Sequence, residues 1–436
     1  MKKMRRPTVY FGLVLAVILL MTSINISSAS TAKKFAGTKL VILSGSDGLP
    51  TNRIISPYIP EFEKETGIKV EFVEMALGPL HSKVATLFAA RSPEADLVWT
   101  YSGWTAEFAS AGYLEDITDW IEPELRSDLN AAMVAATYKD RIYGLPKFLS
   151  IRNFLYNKRI FKECGLDPEK PPRTWDEFVE AAKKCTKDTD GDGKIDQWGV
   201  LHQYGREDSC FLTYQEILIL AGGKMFDNDD NPVFGGPEGV LAMKKLLELH
   251  ELGVVDPASF GIASGSDMRT RWIQGKTAME FGWAADYTMS NDPSVSKVVG
   301  EVGFALAPSL SIESGAMDGS EAYAISKFSK NKEAAYEFLK FMVRQEVQED
   351  MCLRTGWMPV RTSVFSSPEL RKANPLVAHV DKQMRYPVYR FAAPYAEEVI
   401  NMFGNEILTV IKLEKDAEQA IEDSVKAARD IVKRYR

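Results

Sequence analysis

Histidine and cysteine are scarce in this chain, with four of each among 436 residues. His81, His202, His250 and His379 form no H-E-x-x-H pair and no other metal-ligand spacing, so a zinc hydrolase has no footing. Cys164, Cys185, Cys210 and Cys352 contain no C-x-x-C, which removes zinc ribbons and thioredoxin-like redox sites. Cys164 and Cys185 fall near the ends of two expected helices; they either pair or stay as buried thiols. No G-x-S-x-G elbow occurs. Gly275-Lys276-Thr277 looks like the end of a phosphate loop, but Thr270 stands where the first glycine belongs. A helix precedes it and a strand follows, the reverse of a P-loop. There is no internal repeat and no low-complexity linker. Glycoside hydrolysis needs only two carboxylates, so composition leaves it open.

Long apolar runs are equally rare. The one candidate, about residues 9–21, follows Lys2, Lys3, Arg5 and Arg6 and precedes Ser27, Ser28, Ala29 and Ser30. That layout is expected of a secretory signal peptide over residues 1–30, because the run is shorter than the roughly 20 residues of a spanning helix. No cysteine lies near the cleavage region, so no lipid anchor is expected. Losing the leader takes the formal charge from −7 to about −11. A chain this acidic is a poor binder of nucleic acid or of anionic membrane. An exported, soluble, extracytoplasmic protein is expected.

What is present alternates. Strand patterns at Lys39–Leu43, Ile68–Glu74 and Ala95–Thr100 are separated by helical ones ending at Thr66 and Ala90, which predicts parallel βαβ units and an α/β fold. Ile142–Tyr156 reads as a strand-rich crossover. Thr174 with Glu177 predicts a capping box. Behind it, Trp175, Phe178, Val179, Ala182 and Cys185 mark one buried helical face. A single helix is expected over Asn331–Gln348, and an amphipathic helical tail from Ile400 to Val432. The length favours two domains.

The stretch DTDGDGKIDQWG, residues 188–199, has the spacing of a calcium loop. Asp188, Asp190 and Asp192 take positions 1, 3 and 5, Gly193 position 6, Lys194 (through its carbonyl) position 7 and Asp196 position 9. The glutamate of position 12 is replaced by Gly199, so Gln197 or water is expected to complete the shell. Four carboxylates so close repel one another unless a cation neutralises them; an acidic solvated turn is the alternative. A sensor needs paired hands. One loop alone predicts a structural Ca2+ clamp.

Several blocks together resemble the family 1 extracellular solute-binding proteins of ABC importers, the group that includes the maltose-binding protein. They are residues 101–121, 142–184, 271–283 (RWIQGKTAMEFGW), 302–308 (VGFALAP) and 325–361 ending in TGWMPVR. The resemblance implies a type II periplasmic-binding-protein fold, with two α/β lobes, three hinge crossings and a ligand cleft between. The crossings are expected near Pro146, Ala307 and Pro359. Lobe one is then 38–146 plus 308–358, and lobe two 147–307 plus 359–436. The function implied is a monomeric periplasmic receptor, not an enzyme, that closes on a carbohydrate and delivers it to an ABC permease. A polyol, glycerol phosphate or acidic sugar is the alternative solute, and an exported polysaccharide-cleaving enzyme the alternative class.

A sugar offers C–H faces to aromatic rings and hydroxyls to carboxylates, amides and arginine. By resemblance, Trp283 is the foremost stacking candidate. Tyr101 and Trp104 follow the third strand, Asp47 follows the first, and Trp357 sits at the third crossing. Phe148, Arg152, Tyr204 and Tyr395 complete the candidates, each with core packing as its other reading. Relatives often carry Gly-Gly-Trp where this chain has Asp318 before Gly319-Ser320-Glu321. Acids there suit a more polar ligand edge than a maltodextrin.

Overall fold

The computed structural model describes residues 34–45 and 54–436. Its short apolar runs build two main sheets, beside two small two-stranded ones. The first has the strand order Lys69–Met75, Lys39–Gly45, Leu97–Thr100, Glu321–Ile325, Gly144–Phe148. Its first three strands are parallel, with Ile42 beside both Phe72 and Leu97. Parallel neighbours need crossover helices, and Ile59–Thr66 and Leu77–Ala89 supply them. The first helix stops where Gly67, at φ 73°, donates its N–H to the Glu63 carbonyl; only glycine enters this left-handed cap without strain. Glu321–Ile325 returns antiparallel to both neighbours.

The second sheet runs Val302–Ala305, Asn153–Asn157, Thr277–Gly282, Trp198–Leu201. The first two pairings are antiparallel and the last parallel. Each sheet carries its own core, one around Ile42, Phe62 and Phe338, the other around Phe178, Tyr214 and Phe403. Helix Trp175–Cys185 turns its predicted face into the second core, and Thr174 accepts the Glu177 N–H.

Among the described residues, three chain passes run between the halves. The first, residues 149–152, follows the strand containing Pro146. The Leu149 N–H donates to the Met358 carbonyl at 2.9 Å and the Arg152 N–H to that of Met317 at 3.0 Å. Ala316–Met317, on the second pass, pairs in parallel with Val388–Tyr389 on the third. The third pass therefore does not lie at Pro359. Val360, Val364, Phe365, Leu370, Leu376, Val377 and Val380 are buried in the first core, and the chain rejoins the second at Phe391. Short helices at Thr362–Phe365 and Pro368–Ala373 pack on Gln345–Thr355, which keeps this segment in the first half.

One expected helix is broken, and the expected helical tail forms as two. Residues 331–348 divide into Lys332–Met342 and the start of Gln345–Thr355, because Arg344 turns extended at ψ 147° to cap the second. The tail divides into Ala396–Ile411 and Ala417–Tyr435, with Leu413 at φ 62° and Asp416 capping. No helix among the described residues is long and apolar enough to cross a membrane. The leader lies outside them.

Candidate ligand cleft

A cavity of about 130 Å3 opens between the two halves. Leu77, Trp99, Glu321 and Trp357 line it from one side, Arg206, Asp208, Gly265 and Trp283 from the other, and Arg390 from the third pass. A neighbouring chamber of about 410 Å3 shares Trp99, Arg206 and Arg390 and adds His81, Tyr101, Trp104 and Glu397. The halves touch directly beside it. The Tyr101 hydroxyl donates to Glu397, and the Arg390 guanidinium sits 3.8 Å from the centre of the Tyr101 ring.

Trp283 is held from every direction. It ends the fully buried strand Thr277–Gly282 and caps helix Ala284–Ser290, its N–H donating to Asp286 at 2.7 Å. Asp286 also accepts from Arg269 Nε at 2.6 Å, a pair cut off from solvent. The Arg152 guanidinium lies 5.1 Å from the centre of the indole. Gly319 and Gly265 admit the ring edge: a Cβ on Gly319 would fall 2.3 Å from Cζ3, and one on Gly265 2.9 Å from Nε1. Both glycines are there for close approach.

Charges around the cavity are mostly paired. Arg206 and Asp208 bond in bidentate fashion, both contacts 3.1 Å. Glu321 accepts from Lys147 Nζ at 2.6 Å and from Trp99 Nε1 at 2.7 Å. Burial works to lower the Lys147 pKa, but Glu321, with Tyr323 and Glu74, holds the ammonium above its usual range. Behind Trp283 lies a buried cluster of Arg152, Glu216, Glu280 and Asp286. Burial pushes Glu216 up to about 7 and Glu280 well above the carboxylate range. Neither Glu280 oxygen has a hydrogen-bond partner. These acids back the indole and do not line the cavity.

Of the residues singled out in the sequence, Trp283, Glu321 and Trp357 line the smaller chamber and Tyr101 and Trp104 the larger. Phe148 lies one layer back, stacked on Trp357 at 4.3 Å. Arg152 is likewise behind the wall. Asp318 is buried, accepting from the Ser320 hydroxyl at 2.7 Å and N–H at 3.0 Å. Burial pushes its carboxyl up to about 6 despite those bonds. Tyr204 and Tyr395 belong to the second core instead. Tyr204 bonds His202 and, at 3.0 Å, His250, while Tyr395 donates to Asp230 at 2.6 Å. Asp47 lies outside the described residues. Arg206, Asp208, Arg390 and Trp99 went unforeseen. Arg206 had a signal, since it precedes the helix Glu207–Leu220 a few residues after a strand; Arg390 had none.

At the acidic loop, carboxylate oxygens of Asp188, Asp190 and Asp192 come within 4.8 Å of one another. Gly191 and Gly193, at φ 81° and 87°, bend the loop around them. The set of hard oxygen donors fits a calcium ion. Two expected ligands do not join it. Asp196 is taken by the Thr189 hydroxyl and N–H. Gln197 is buried the other way, its Nε2 donating to the Cys185 carbonyl at 3.0 Å. Cys164 and Cys185 are neighbouring thiols, and burial, with Cys164 alongside, pushes the Cys185 thiol far up.

Residues 48–349 match the family model for the bacterial extracellular solute-binding protein. A probable amino-acid ABC transporter periplasmic-binding protein of Sinorhizobium fredii is 25% identical, covering 91% of this chain and 90% of that one. Maltose-bound MalE3 of T. maritima superposes with a TM-score of 0.79 at 25% identity, over 91% of this chain and 100% of that one. A solute-binding protein of Agrobacterium radiobacter in complex with ribitol gives 0.80 at 23%, over 91% and 99%. With more than half its length matched and a cleft between two α/β halves, the chain belongs to the bacterial extracellular solute-binding protein family, whose members bind solutes for ABC transporters and are not enzymes.

Proposed function

We propose that this protein is a periplasmic receptor that captures a sugar or polyol by closing its two halves and presents it to an ABC permease. The observation that carries this is the set of three indoles, Trp99, Trp283 and Trp357, walling one chamber together with the bidentate Arg206–Asp208 pair. Aromatic faces take sugar C–H surfaces, and a charged pair takes hydroxyls as donor and acceptor at once. The maltose and ribitol complexes of its structural neighbours support the solute class. The halves act as lobes that hinge on the three hydrogen-bonded passes, and Tyr101 with Glu397 latches them. The leader exports the chain, which works as a monomer. Asp188, Asp190, Asp192 and the Lys194 carbonyl would hold a structural Ca2+, which supplies charge neutralisation and no chemistry on the solute.

The test is a thermal-shift screen of the mature chain against sugars, polyols and amino acids. A ligand at about 100 times its Kd adds roughly 2.7 kcal/mol. One sugar or polyol raising Tm and recovered intact supports the reading. A panel in which only amino acids act overturns it.

A further inference from the structure

Among the described residues, every cation near the smaller chamber but one has an acid of its own. Arg206 pairs with Asp208, Arg269 with Asp286, and Lys147 with Glu321. Arg152 faces Glu216, Asp286 and Glu280. Arg390 has no such pair. Among the described residues nothing accepts a hydrogen bond from its guanidinium, and its Nε is buried without a partner. Trp357, which lines the same chamber, also has Nε1 buried without an acceptor among the described residues.

Arg390 is not loosely placed. It directly follows Val388–Tyr389, the piece of the third pass paired with Ala316–Met317, and its guanidinium lies against the Tyr101 ring. The acids nearby are engaged elsewhere, Asp318 by Ser320 and Glu397 by Tyr101. Arg390 is half-buried, with its Nε cut off from water, and a planar two-oxygen acceptor entering the cleft fits its fork best.

We propose that the solute carries a carboxylate, read by Arg390, so that the cleft selects an acidic sugar over its neutral counterpart. This deepens the sugar-receptor reading and rests on it. Both unsatisfied groups are donors, and a carboxylate is acceptor-only, whereas a hydroxyl brings a donor that needs its own partner. One unpaired cation matches one negative charge. A phosphate monoester brings up to two, and among the described residues lining the chamber no second cation stands without an acid. At about 130 Å3, the chamber lies below the roughly 300 Å3 where drug-sized pockets begin, which suits a single sugar unit.

The experiment is calorimetric titration of the mature protein with matched probes: D-glucose and D-glucuronate, D-galactose and D-galacturonate, ribitol and D-ribonate, and D-glucose 6-phosphate. At least one acid should bind about 10- to 100-fold tighter than its neutral partner, the worth of a charge-assisted bond. Arg390→Gln should erase that preference, so that acid and neutral partner bind alike, and Arg390→Lys should restore part of it. If the variant does not fold, the wild-type preference and its weakening with salt still decide. Equal or better binding of the neutral partners, or tighter binding of the phosphate, overturns the proposal and leaves the sugar receptor standing. Failure of every sugar, acid and polyol overturns both.

Discussion

Replacing Gly319 by alanine adds one methyl group to the wall of the cleft, and its effect should be read in both stability and binding. The added Cβ would lie 2.3 Å from Trp283 Cζ3 and 2.4 Å from Cη2. Carbon atoms pack best at about 3.5–4.0 Å, so ring and backbone must part by roughly 1.2–1.7 Å. The backbone has little freedom to yield, since the Gly319 N–H donates to the Ser150 carbonyl at 2.7 Å. The indole is confined too, by Gly265 at its Nε1 edge and by Arg152. No left-handed φ is involved at Gly319, so alanine itself is tolerated and even trims unfolded-state entropy by about 0.4–1 kcal/mol. Against that gain stands the strain of a crowded ring, about 1–3 kcal/mol, so the unliganded protein should lose up to about 2.6 kcal/mol of stability. Binding has no such offset. A misplaced indole forfeits about 0.5–1.5 kcal/mol of ring contact plus the area it covered, so the affinity of the protein that remains folded should fall about 10- to 50-fold, alongside a Tm lowered by a few degrees. Calorimetry with the screen's best ligand and a melt without ligand make the comparison. Unchanged affinity in Gly319→Ala would show that Trp283 does not form the ligand's wall.

Other perturbations have equally definite outcomes. Calcium should raise Tm and EGTA lower it; Asp190→Ala should abolish that response, and Gln197→Ala should retain it, because Gln197 faces Cys185 and not the loop. The Glu107 carboxylate, 2.9 Å from His81 Nε2, holds that imidazole above its usual range. A raised folded-state pKa gives stability that is complete below the unfolded value near 6.5 and fades as pH climbs through the folded one. The urea midpoint of wild type should therefore exceed that of His81→Gln at pH 5.5 and converge on it by pH 8.5. Thr174→Ala removes the acceptor of the Glu177 N–H and should cost about 1 kcal/mol by urea denaturation, without touching ligand affinity.

The strands and caps were readable because they depend on neighbours in sequence. KLVIL, ADLVWT and TAMEFG are apolar runs that only a covered sheet accommodates, and Gly67 and Thr174 terminate helices by local chemistry. The third pass was not readable, because Pro359 punctuates the chain without dividing it. Which half residues 360–380 join depends on Val364 and Leu370 finding the first core, a long-range choice. The cleft separates along the same line. Trp283 and Glu321 sit at strand ends, where side chains leave a sheet toward its edge, and both reach the wall. Tyr204 leaves a strand end too, yet turns inward because His202 and His250 give its hydroxyl buried partners. Arg390 shows the limit most sharply. Its neighbours in sequence suggest nothing, and its importance lies in what its guanidinium lacks, a property of the assembled halves alone. A tyrosine ring from one half and an arginine from the hinge meet only when both sheets are in place. Selectivity in such a cleft is therefore set by pairings between segments hundreds of residues apart, while the sequence blocks that announce the family specify the frame that brings them together.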